Sequence, residues 1–87
     1  MQLVGATTAG GVEDELRRHL ELHRTQLAEY DAIERRDFPP APDRPREDRL
    51  RHIVLRAGIE LETFWTTWLT GALEELAGAP DQAGTAP

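Results

Sequence analysis

LRHIVLRAGIELETFWTTWLTGALEEL, residues 50–76, decides the fold. Leu50, Val54, Ala57, Leu61, Phe64, Trp68, Ala72 and Glu75 recur at spacings of three and four, the period of one helix face. Trp65, Leu69 and Leu76 widen that face on one side, and Leu55, Ile59 and Leu73 carry it further round. The apolar arc is therefore broader than the stripe a helix needs to pack on one neighbour. Such a helix asks for two partners, one from its own chain and the other from a second chain.

The first partner is upstream. Val12, Leu16, Leu20, His23, Leu27 and Tyr30 fall on one narrow face of a helix expected over residues 12–36. Gly10 or Gly11 is its expected N-cap, with Glu13, Asp14 and Glu15 placed in the first turn and Arg35 and Arg36 in the last, where the helix dipole favours each charge. Glu13 with Arg17, and Asp14 with Arg18, are spaced to pair one turn apart, at about 0.2–0.5 kcal/mol each. One narrow face packs on a second helix but closes no core alone.

Between the helices lies DFPPAPDRP, residues 37–45, with four prolines in nine positions. Proline removes an amide donor and fixes extended backbone, so this stretch reads as a linker over residues 37–44. Phe38 is expected to tuck back over the helix ends. A ligand for a polyproline-binding domain is the sharper alternative, which the position between two helices disfavours. Asp43 is the expected cap of the next helix, with Pro45 in its first turn. That helix is expected over residues 45–77, with a Glu47–Arg51 pair near its start, and Gly78 and Pro80 as its stop. Residues 1–11 read as a flexible lead-in and 78–87 as a disordered tail.

The fold class is thus all-α: two long antiparallel helices joined by a proline-rich loop, 12–77 forming one helical hairpin expected to dimerise into a four-helix assembly. Composition agrees. The chain has 87 residues, 39% of them hydrophobic, and no cysteine, so neither a large core nor a disulfide staple is available. Oligomerisation is the remaining staple.

The net charge of −6 makes this chain a poor nucleic-acid ligand, because non-specific affinity comes from neutralising phosphates. No apolar run reaches the roughly 20 residues of a membrane span, and the N-terminus lacks the basic and apolar regions of a signal peptide, so a cytoplasmic location is expected. There is no cysteine or serine nucleophile and no phosphate loop, so no catalytic residues are assigned and no enzyme activity is expected.

Two constellations remain. His19 and His23 stand four apart, as metal ligands on a helix do, but HLELH lacks the glutamate placement of HExxH and no third ligand is evident. They read as packing-face histidines whose protonation would weaken assembly in acid, and no metal or cofactor is assigned. Phe64, Trp65 and Trp68, in FWTTW, read first as packing aromatics and second as a flat pocket for a planar small molecule. The dimer-interface set is Leu50, Val54, Leu61, Phe64, Trp65, Trp68, Leu69 and Leu76.

ELRRHLELHRTQLAEYDAIE, residues 15–34, followed by a variable loop and HIVLRAGIELETFWTTWL, residues 52–69, resembles the C-terminal helical domain of PadR-like transcriptional regulators. The strongest match is Leu55-Arg56-x-Gly58-Ile59 followed by Glu62, Trp65 and Trp68-Leu69; Gln2-Leu3-Val4 resembles the tail of the segment after the DNA-binding wing. The resemblance covers about residues 3–76. It implies a dimerisation and effector domain, the operator being read by an N-terminal winged helix-turn-helix. The chain departs from the pattern by opening at the domain junction, so no direct nucleic-acid binding is expected of it. It implies as partner a second copy, or a full-length PadR-like regulator captured into a heterodimer.

Overall fold

The computed structural model describes residues 9–78 as a helical hairpin: α1, Ala9–Asp37, and α2, Arg46–Gly78. At 1.5 Å per residue the helices are about 43 and 50 Å long. No strand occurs among the described residues. Most of the expected lead-in and tail, residues 1–8 and 79–87, lies outside them.

α1 begins earlier than its acidic run implied. Gly10 and Gly11 are helical, not caps, so the first turn carries no acidic residue. Once a helix exists, each added residue contributes a bond without a new nucleus, and the ladder runs back through the glycines. Arg35 and Arg36 do occupy the last turn. At the C-terminus the Phe38 N–H donates to the Glu34 carbonyl at 2.9 Å. Pro39 and Pro40 have no N–H to continue the ladder.

α2 opens at Pro45, whose carbonyl accepts from the Arg49 N–H at 3.0 Å. Pro45 thus holds the N-cap position expected of Asp43. Glu47 and Asp48 lie in the first turn, where the dipole favours them. Two of the expected one-turn pairs are exchanged for i,i+3 partners. Arg18 pairs with Glu15 instead of Asp14, and Arg51 with Asp48 at 2.9 Å instead of Glu47. Arg17 reaches both Glu13, at 2.9 Å, and Asp14, at 3.1 Å. All are exposed, so each contributes little.

The helices pack antiparallel along their length. From α1 the seam takes Leu16, Leu20, His23, Leu27, Tyr30 and Glu34. From α2 it takes His52, Leu55, Gly58, Ile59, Glu62, Thr66, Leu69 and Leu73, all buried or half-buried. Only Leu20, Ile59 and Leu69 are buried hydrophobics among the described residues, with Glu62 the buried polar one. Thr66 is tolerated there because its hydroxyl donates to the carbonyls of Glu62 and Thr63, both at 3.0 Å. A core of three such side chains is slight for a chain of this length, and the seam is reinforced by polar contacts.

Candidate partner-binding face

The residues that marked α2 in the sequence are mostly the ones α1 leaves uncovered. Leu50, Val54, Leu61, Phe64, Trp68 and Leu76 are exposed, Val54 by 72% and Trp68 by 52%; Ile53 joins them, and Trp65 stands at the margin. Leu69 is different. It is 4% exposed and lies in the intrachain seam, because it falls on the stripe Glu62–Thr66–Leu69–Leu73 that meets α1. The remaining set forms an apolar strip along α2, with Val12 exposed near its end on α1. Monomers rarely expose contiguous apolar patches beyond a few hundred Å², and larger ones mark contact surfaces.

The aromatic cluster occupies the C-terminal half of the strip. Phe64 meets Trp65 edge to face, with centroids 5.1 Å apart, and Trp65 meets Trp68 the same way at 6.2 Å. Trp65 also turns toward α1, stacking on the His23 ring at 5.7 Å and 15°. His23 Nδ1 in turn bonds Glu62 Oε1. With a carboxylate as acceptor, Nδ1 carries the proton.

The two candidate histidines separate. His23 enters the seam, whereas His19 stands outside it with its Nε2 3.4 Å from Glu15. Among the described residues no group of three or more metal-ligating side chains could hold an ion. The aromatic residues considered for a planar ligand separate too. Trp68 lines an apolar groove of about 760 Å³ with Val12 and Leu16 of α1 and Gly71, Ala72 and Leu76 of α2. Phe64 lines a smaller depression with Glu60, Thr63, Thr67 and Trp68, and Trp65 lines neither.

A second histidine–carboxylate contact closes the other end of the seam. His52 Nε2 lies 2.7 Å from Glu34 Oε2, and Arg56 donates to the same oxygen at 3.2 Å. These bonds hold the Glu34 carboxyl below the usual glutamate range, His52 contributing most and Arg56 next, against partial desolvation. Phe38 stacks on His52 at 4.9 Å and 5°, and the Arg44 guanidinium lies 5.3 Å from the Phe38 centroid. The expected tuck of Phe38 is therefore specific: it covers His52 and ties the linker to α2.

Neither inter-helix histidine–glutamate pair was anticipated. Their signal was the second stripe of α2, His52, Leu55, Ile59, Glu62, Thr66, Leu69 and Leu73, which also runs in steps of three and four. Its polar members hid it behind the more apolar outer stripe.

Among known families, the one described as virulence activator alpha C-term matches residues 1–77. The chain belongs to that family. This virulence activator alpha C-terminal domain is a helical domain of regulators, a class typically without enzymatic activity. No curated protein and no solved structure matches the chain. No helix among the described residues is long and apolar enough to cross a membrane.

Proposed function

We propose that this chain is the dimerisation and effector module of a PadR-like transcriptional regulator, with operator contacts made by other parts of the assembly. The observation that carries the reading is the uncovered strip on α2, from Leu50 to Leu76, on a hairpin with three buried hydrophobic side chains. Burying such a strip is worth about 25 cal/mol per Å², and a second copy offers a matching surface through twofold packing. Two hairpins joined this way make a four-helix core. Membership in a family of regulator domains supports the regulatory half of the reading. The acidic balance of −6 supports placing nucleic-acid contacts elsewhere.

Sedimentation equilibrium of the chain, with Leu61→Glu beside it, tests the reading. A helical dimer that Leu61→Glu converts to a helical monomer is the expected result. A wild-type chain that stays monomeric at micromolar concentrations overturns it.

The groove beside Trp68 supports the effector half. Its apolar lining suits a flat hydrophobic molecule. Tryptophan fluorescence quenched by planar aromatic compounds, with weaker quenching in Trp68→Phe, is expected. A flat titration across diverse compounds removes the effector from the proposal and leaves the dimer reading to its own test.

A further inference from the structure

We infer that His23 and Glu62, though in the intrachain seam, position Trp65 for contact with a second copy of the chain on the outer face; the inference rests on the reading that this face is the dimer interface. Three observations converge. Glu62 is the buried polar residue of the described chain, at 9% exposure. Its carboxylate is bonded to His23 Nδ1 across the helix–helix seam. The same imidazole lies flat against Trp65, which is 36% exposed and forms edge contacts with both Phe64 and Trp68.

A contact path therefore runs from inside the hairpin to its outer surface: Glu62 fixes the imidazole, the imidazole fixes the Trp65 plane, and that plane braces the other two aromatics. An imidazole unanchored by a hydrogen bond rotates about its side-chain torsions. The Glu62 bond removes that freedom, which preorganises the aromatic group before a partner arrives. Packing alone does not require this arrangement, since an apolar pair of similar volume fills a seam without the desolvation cost of a carboxylate. His23 and Glu62 are positioning residues, and Trp65 is the group they present.

The test exploits that contrast. In the double variant His23→Phe/Glu62→Leu both polar partners are replaced together, so no buried group is left unpaired and the hairpin keeps its helicity. Near-UV circular dichroism reads the setting of the indoles, and sedimentation equilibrium reads assembly. The expected result is an altered near-UV spectrum with a dimer Kd weakened about tenfold, equivalent to about 1.4 kcal/mol. Glu62→Leu alone, which removes the acceptor while the part-exposed His23 ring turns to solvent, serves the same measurements if the double variant does not fold, with the same direction expected. An unchanged near-UV spectrum overturns the inference, whatever happens to Kd. An altered spectrum with unchanged Kd overturns it too, because Trp65 is then repositioned without consequence. A wild-type chain that never dimerises sinks the proposed function first, and is recognised by the wild-type sedimentation alone.

Discussion

The Tyr30 ring lies directly over the backbone of Gly58. A β-carbon at position 58 would sit 2.9 Å from Tyr30 Cε2, closer than such atoms approach, and 3.3 Å from Cδ2, a tight contact. The missing side chain is what lets α1 and α2 close around a half-buried tyrosine at mid-seam. Gly71 is the internal control, since a β-carbon there meets nothing within 4 Å. Both replacements by alanine gain about 0.8–1 kcal/mol of helix propensity. At position 58 that gain is opposed by overpacking, typically about 1–3 kcal/mol. Thermal unfolding should show Gly58→Ala less stable than wild type and Gly71→Ala more stable. A raised midpoint for Gly58→Ala would mean that Tyr30 moves aside freely and the close approach has no consequence.

Glu34 gives the hairpin a defined sensitivity to acid. Its folded-state pKa lies below that of a free glutamate, so its ionised form is the one the fold favours. The stabilisation is present above the unfolded-state pKa of about 4.3 and is lost as pH falls through the lower folded value. Glu34→Gln removes this linkage, whereas Glu15 beside Arg18 and Asp37 beside Arg36, lowered in the same way, remain in both proteins. Urea unfolding at about pH 6 and about pH 3 should show wild type losing more stability than Glu34→Gln, since that interval spans the unfolded value. Equal losses would show that the His52 and Arg56 contacts do not bias this carboxylate in solution.

The linker is anchored through Phe38. Its ring stacks on His52 and lies within cation–π reach of the Arg44 guanidinium, Arg44 donates to the Pro39 carbonyl, and Arg49 Nε donates to the Arg44 carbonyl at 3.1 Å. Phe38→Ala removes an aromatic stack worth about 0.5–1.5 kcal/mol and a cation–π contact worth about 0.5–1 kcal/mol. Faster proteolysis within residues 38–45 is expected, with the seam from Leu16 to Tyr30 still protected from hydrogen exchange. Unchanged cleavage would mean the four prolines hold the loop without Phe38.

The hairpin was legible in the sequence because its signals are local. Spacing of Leu16, Leu20, Leu27 and Tyr30 gives one face, Pro39 and Pro40 end α1, and the Leu50–Leu76 stripe is too broad for one neighbour. The assignment of faces was less legible. A stripe of Leu, Val, Phe and Trp looks like the inside of a domain, yet α1 covers the stripe that contains His52, Glu62 and Thr66. The polar members acquire partners only when residues far apart in sequence meet: Glu62 needs His23, and His52 needs Glu34 and Phe38. Spacing within one helix carries no record of those meetings, so it places Leu69 with the outer set although Leu69 is buried and its neighbour Trp68 is exposed.

That neighbouring pair separates folding from assembly. Leu69 is buried against α1, and Trp68 is half-exposed on the outer strip. Leu69→Ala deletes seam volume, a change that typically costs about 2–5 kcal/mol. With so small a core, the far-UV helical signal should fall at every protein concentration. Trp68→Ala leaves the seam intact and removes a large exposed aromatic of the kind that anchors interfaces, where truncation costs about 2 kcal/mol or more. Its helical signal at high concentration should match wild type, while the concentration for half-assembly rises about 30-fold, the equivalent of that loss. Circular dichroism and sedimentation equilibrium across a dilution series measure both. Were Trp68→Ala to lose helicity at all concentrations as Leu69→Ala does, the outer strip would belong to the hairpin's own folding and not to a partner.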